Sequence, residues 1–150
     1  MNLPRLIASG AGAGYAPRAP GTAGSLLGLV LGGGLLYFSH GAELLGILLV
    51  SAAGFWAVGE VGAAGDPGWI VIDEVAGQMI ALFALPRISL PGLALAFILF
   101  RLFDITKLGP VGLLNARHDA LGVMGDDWAA GGLALACLAI LLFLFPLTWP

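Results

Sequence analysis

The chain has 150 residues, six of them Lys or Arg and nine Asp or Glu, for a formal charge of −3. Charged side chains make up 10% and hydrophobic ones 59%, where a soluble domain carries about 25% charge; the mean hydropathy is +1.01. These figures exclude a soluble globule, a disordered tail and a nucleic-acid binder, whose basic surface so few cations cannot supply. No polybasic stretch is left for peripheral anchoring. The expectation is one integral membrane domain over residues 1–150. Cys137 is the single cysteine, which excludes an internal disulfide and an all-cysteine metal site. It lies in an apolar run and reads as a packing residue.

In chain order, the first apolar stretch is broken by Pro4 and Arg5 and does not read as a cleavable signal. Gly10, Gly12 and Gly14 follow, without the preceding strand, the spacing or the Lys-Ser/Thr of a nucleotide loop. Their small size suits close backbone approach. Pro20-Gly21-Thr22 then opens a helix. Thr22 and Ser25, three apart on its first turn, offer two hydroxyls beside free N–H groups that could hold an anion. The same pattern also serves a closely packed helix start.

Apolar runs are read over Thr22–Phe38, Ala42–Gly59, Trp69–Pro86 and Gly92–Phe103, with a last and cleanest one over Trp128–Trp149. This predicts an all-α bundle of about five apolar helices. Four crossings remain possible if the third or fourth run is re-entrant. In the last run an indole near each end fits an aromatic belt. Five crossings would place segments 1–21, 60–74 and 101–127 on one side. That side holds Arg5, Arg18, Arg101, Lys107 and Arg117, and all the acids but Glu43. The other side keeps only Arg87 among the cations. The positive-inside rule makes the charged face cytoplasmic.

Three motifs put carboxylates on that face. Asp73-Glu74 interrupts the third run, where an ionised group needs a partner, a metal or a water-filled cavity; Gly77, one turn on, allows a close neighbour. Arg101, Asp104 and Lys107 are spaced three apart and form a polar stripe in which Arg101 can pair with Asp104. Asp126-Asp127 opens the last run, where one aspartate would suffice as a helix cap. His40 belongs to the opposite turn and reads as structural. His118 lies in a loop and could move a proton.

Asp73, Glu74, Asp104, Asp126 and Asp127 are therefore the candidate catalytic residues, and Asp73, Glu74, Asp126 and Asp127 the candidate metal ligands. An all-oxygen set suits a hard cation, magnesium or manganese, over zinc. Arg101 and Lys107, with Thr22 and Ser25, are the candidate phosphate-binding residues. Carboxylates, Mg²⁺ and cations together are a set for handling a phosphate ester. Water is the preferred nucleophile, with Asp73 or Asp126 as the covalent alternative. The competing reading is a small cation- or proton-coupled membrane transporter, since carboxylates within a membrane also mark ion pathways. Transporters commonly place ionisable residues at mid-span and repeat internally; here they gather at one face and no repeat is found. A non-catalytic membrane subunit would explain the small residues but not the gathered acids.

At these residues the chain resembles the bacterial phosphatidylglycerophosphatase A family, from Ala8 to Gly131 and into the final run. The strongest parts are Ala-Pro-Gly-Thr-Ala-Gly-Ser-Leu (19–26), Ile-Val-Ile-Asp-Glu-Val-Ala-Gly-Gln (70–78), Phe-Arg-Leu-Phe-Asp-Ile-Thr-Lys (100–107) and Val-Met-Gly-Asp-Asp-Trp-Ala-Ala-Gly (123–131). The resemblance implies a Mg²⁺-dependent lipid phosphatase of the bacterial inner membrane. It would hydrolyse phosphatidylglycerophosphate, its lipid partner, to phosphatidylglycerol. It also implies a multihelical fold around a central helix. Two departures stand out: Lys107-Leu108-Gly109-Pro110 keeps only the second proline of the family's Lys-Pro-x-Pro, and Gly125 replaces an apolar side chain.

Overall fold

In the computed structural model, which describes residues 2–63 and 67–145, helices begin where the sequence supplies caps. Among these residues there are seven α-helices: α1 (Leu3–Ala8), α2 (Pro20–Phe38), α3 (His40–Val61), α4 (Ile72–Leu82), α5 (Leu90–Thr106), α6 (Pro110–Asn115) and α7 (Ala120–Leu144). A 3-10 turn covers Ala13–Tyr15, and no strand occurs among the described residues. Ser39 Oγ accepts the Ala42 N–H at 3.0 Å to start α3, and Ser89 Oγ accepts the Gly92 N–H at 3.2 Å to start α5. Asp119 does the same for α7, accepting the Gly122 N–H at 2.8 Å. Pro20 and Pro110 take the first positions of α2 and α6, where the missing N–H costs nothing.

The cap at Asp119 revises one expectation. The last helix starts at Ala120, well before Trp128, so Asp126 and Asp127 lie inside the helix and do not cap it. Trp128 is half-buried and stacks on Phe55 at 6.4 Å between centroids. Asp66 and the second indole, Trp149, lie outside the described residues.

Helix α4 is the centre of the bundle, packed against α2, α3, α5 and α7 and buried on nearly every side. Glycines admit its neighbours. Along α2, a Cβ at Gly24 would meet Val71, one at Gly28 the Val75 carbonyl at 2.6 Å, and one at Gly32 Leu82 at 2.9 Å. Both residue series rise together, so α2 and α4 run in the same direction. Across the other face, a Cβ at Gly77 would lie 2.6 Å from the Asp127 carbonyl, and one at Gly131 would strike the Gly77 carbonyl. Helices α4 and α7 thus cross with their backbones nearly touching.

Among the described residues three helices are long and apolar enough to cross a membrane: α2, α3 and α7. Helix α4, with 11 residues, covers about 16 Å, roughly half a hydrocarbon core, and α5 has 17 residues. Large apolar side chains stand exposed around the bundle, among them Val30, Phe38, Leu45, Leu49, Ile98 and Phe143. Such a surface calls for lipid. At the far end of α4, His40 Nε2 lies 3.0 Å from the Leu85 carbonyl and its ring meets Phe83 edge-on at 5.5 Å. His40 is therefore structural.

Candidate active site

The starts of α2, α4 and α7 and the end of α5 meet around a polar cavity of about 300 Å³. Its walls include Asp73, Glu74, Arg101, Asp104, Lys107, Asp126 and Asp127. Seven charged residues from three separate stretches of the chain thus converge on one cavity.

Within it, Asp73, Glu74 and Asp127 form a tight group. One carboxylate oxygen from each lies within 4.8 Å of the other two. The crossing at Gly77 and Gly131 makes this possible, because it brings α7 onto α4 at the level of Asp127. Asp73 and Asp127 are 7% and 2% exposed. Asp73 Oδ1, Glu74 Oε2 and Asp127 Oδ1 are buried and accept no hydrogen bond from any described residue. Buried anions without partners are costly, by several kcal/mol each. Three carboxylates this close together, each with a buried unpartnered oxygen, suit a hard divalent cation, and the cluster could bind a metal ion.

Beside the cluster lies a chain of ion pairs. Arg101 Nη1 donates to Asp104 Oδ2, and Lys107 Nζ donates to Asp104 Oδ1 at 3.0 Å and to Asp126 Oδ2 at 2.7 Å. The spacing of three along α5 produces the first bond, as expected from the polar stripe, while Lys107 stands just past the helix end. The third ties α5 to α7. Burial works to lower the Lys107 pKa, but the hydrogen bond to Asp126 and the charges of Asp127 and Asp104 outweigh it and raise the value. Lys107 therefore stays a cation at neutral pH.

The candidate residues divide accordingly. Asp73, Glu74 and Asp127 form the metal-type cluster. Asp126 shares their cavity but is bonded to Lys107, and Asp104 is held between two cations. Ser25 is fully buried; its hydroxyl donates to the Gly21 carbonyl at 2.8 Å and accepts from Arg101 Nη1 at 3.3 Å. Ser25 thus steadies Arg101 and does not line the cavity. Thr22 is half-buried and is not among the cavity's lining residues.

Gly21 does line it, and nothing in its residue type signalled that. A Cβ there would strike Glu74 Oε1, lie 3.2 Å from Glu74 Cδ and 3.4 Å from Arg101 Nη1. Gly125, one of the two departures from the family pattern, is buried but has room for a Cβ, which would meet Leu114 at 3.4 Å, an ordinary contact. Gln78, one turn beyond Glu74 on α4, is fully buried with both amide atoms unpartnered among the described residues. Glu43 is likewise buried with two unpartnered oxygens, away from this cavity, and nothing in the structure explains it.

Known proteins bear on this geometry. The phosphatidylglycerophosphatase A family profile matches residues 6–142. A Bacteroides thetaiotaomicron protein, provisionally named a phosphatidylinositol-3-phosphatase, is 37% identical over 92% of this chain and 92% of its own. Two relatives are named phosphatidylglycerophosphatase A. The one from Haemophilus influenzae is 37% identical over 85% of this chain and 81% of its own, and the one from Escherichia coli 31% identical over 89% and 80%. No solved structure matches the chain. With its four motifs folded around one acidic cavity, the chain belongs to the phosphatidylglycerophosphatase A family of phosphatases.

Proposed function

We propose that this protein is a Mg²⁺-dependent lipid phosphatase. It removes the terminal phosphomonoester of phosphatidylglycerophosphate to give phosphatidylglycerol and phosphate. The observation that carries this reading is the group of three carboxylates, each with a buried, unpartnered oxygen, set beside Arg101 and Lys107 in one cavity. Asp73, Glu74 and Asp127 would hold the ion. When bound, it supplies positive charge against the phosphate oxygens and acidifies a water molecule.

The chain's own residues do the rest. Arg101 and Lys107 face the cavity as cations and hold the non-bridging oxygens, while Asp104 and Ser25 fix their heads. Asp126, facing the same cavity, accepts the proton of the attacking water. The water oxygen bonds to phosphorus as the ester P–O bond to glycerol breaks, and the departing alkoxide recovers a proton from solvent.

Residues 1–150 act as one membrane domain in the bacterial inner membrane, with the cavity at the cytoplasmic face. The five longer helices all run between the cavity end and the far turn. Helix α4 is the shortest of the five, and its neighbours shield it from lipid. The bias of cations toward the cavity end supports this orientation. The clustering at one end also weighs against an ion pathway through mid-membrane.

The test is phosphate release by purified protein from phosphatidylglycerophosphate in mixed micelles. Mg²⁺ should support turnover, chelator should stop it, and fresh Mg²⁺ should restore it. Asp73→Asn, Glu74→Gln and Asp127→Asn should each abolish turnover in protein that remains folded in detergent. Full activity in all three variants would overturn the site.

A further inference from the structure

Asp126 is a wall between two cavities. One is the acidic cavity just described. The other, about 220 Å³, is lined by Asn115, Arg117 and His118 with Ala63 at its edge. It lies where the end of α6, the loop into α7 and the end of α3 come together.

The polar side chains that this second cavity adds to Asp126 are exposed, and only Arg117 is tied into the fold, through Asp119, the cap of α7. Arg117 uses Nε and Nη2 to grip Asp119, at 3.2 and 2.6 Å, which leaves Nη1 without a partner among the described residues. The Asn115 carboxamide and the His118 ring make no hydrogen bond to any described residue. Three exposed donor-bearing side chains thus rim a small open cavity one side chain away from the proposed phosphate site. Lys107 engages the Asp126 carboxylate, so its charge is offset at the shared wall.

The chemistry of the substrate class matches this arrangement. In phosphatidylglycerophosphate a terminal monoester is joined through glycerol to a phosphodiester that carries the acyl chains. The two cations of the acidic cavity, Arg101 and Lys107, are taken up by the monoester in the reading above, which leaves no further cation there for the diester. We propose that the second cavity binds the phosphodiester of the headgroup through Arg117 Nη1, Asn115 and His118. The protein would then recognise a headgroup with two phosphates, one at each side of Asp126. This rests on the phosphatase reading above. The same chemistry occurs in a 3-phosphorylated inositol lipid, which also joins a monoester to a phosphodiester through a polyol.

The product separates the two cavities experimentally, because phosphatidylglycerol keeps the diester and lacks the monoester, while inorganic phosphate is the reverse. Inhibition by each is measured in mixed micelles at fixed Mg²⁺, with neutral diacylglycerol as a control lipid. The variants are Asn115→Ala/His118→Ala and Arg117→Ala. Relative to wild type, both should raise the inhibition constant of phosphatidylglycerol at least fivefold and leave that of inorganic phosphate within twofold. Turnover of phosphatidylglycerophosphate should fall through KM more than through kcat. Failure of phosphatidylglycerol to compete in the wild type would overturn the proposal, and so would equal loss of both inhibitors in the variants. Wild-type turnover of phosphatidylglycerophosphate and of phosphatidylinositol 3-phosphate, run side by side, identifies which polyol lies between the phosphates. A wild type that hydrolyses neither would refute the phosphatase reading itself.

Discussion

Replacing Gly21 by alanine separates the demands of the site from those of the fold. The added Cβ would fall on Glu74 Oε1, well inside the 3.0 Å that real Cβ atoms keep, and 3.2 Å from Cδ. To regain an ordinary contact the carboxylate must retreat by roughly 1 Å, and a displacement of that size can cost about 10²-fold in rate. The colliding atom is the end of a flexible side chain, so the helix itself need not move. Alanine in place of glycine can favour a helix by up to about 1 kcal/mol, and Gly21→Ala should therefore melt no lower than wild type. Gly28→Ala is the contrast: its Cβ would lie 2.6 Å from the Val75 carbonyl, on backbone, and overpacking there should cost about 1–3 kcal/mol. The assays are thermal unfolding in detergent, Mn²⁺ binding by electron paramagnetic resonance, and phosphate release. Gly21→Ala should lose Mn²⁺ affinity and turnover while staying folded. Shortening the carboxylate arm, as Gly21→Ala/Glu74→Asp, should recover part of both. Full activity and Mn²⁺ affinity in Gly21→Ala, or loss only alongside unfolding, would refute the reasoning.

Other perturbations follow from the same geometry. Asp127→Asn should abolish Mn²⁺ binding yet hold or raise the metal-free thermal midpoint, by roughly 2–4 °C for each kcal/mol of relieved repulsion, because it removes one buried charge from a crowd of like charges. Gly131→Ala, whose Cβ would strike the Gly77 carbonyl, should destabilise the α4–α7 crossing by about 1–3 kcal/mol, read as a lower midpoint in detergent. Asp119 is held down to about 2 by hydrogen bonds from Arg117 and from the Gly122 N–H. Its support for the start of α7 should therefore be complete above the ordinary carboxylate pKa of about 4 and fade as pH falls toward 2. Acid unfolding of Asp119→Ala should lack that component.

What the chain reveals without its structure is what depends on composition and short spacing. Too few charges to cover a water-facing surface placed it in a membrane, and the exposed Val30, Leu45 and Phe143 bear that out. The spacing of three between Arg101 and Asp104 is a property of the helix alone, so their ion pair was legible in advance. Tertiary structure decided how the carboxylates divide. Asp126 and Asp127 are neighbours in sequence, yet a turn of about 100° along α7 sends one to Lys107 and the other to Asp73 and Glu74. The role of Gly21 was equally invisible, because a glycine's importance lies in what approaches it, and Glu74 is 53 residues further along the chain. Local periodicity fixes which residues share a face; only the packing of α2, α4, α5 and α7 fixes which faces share a cavity.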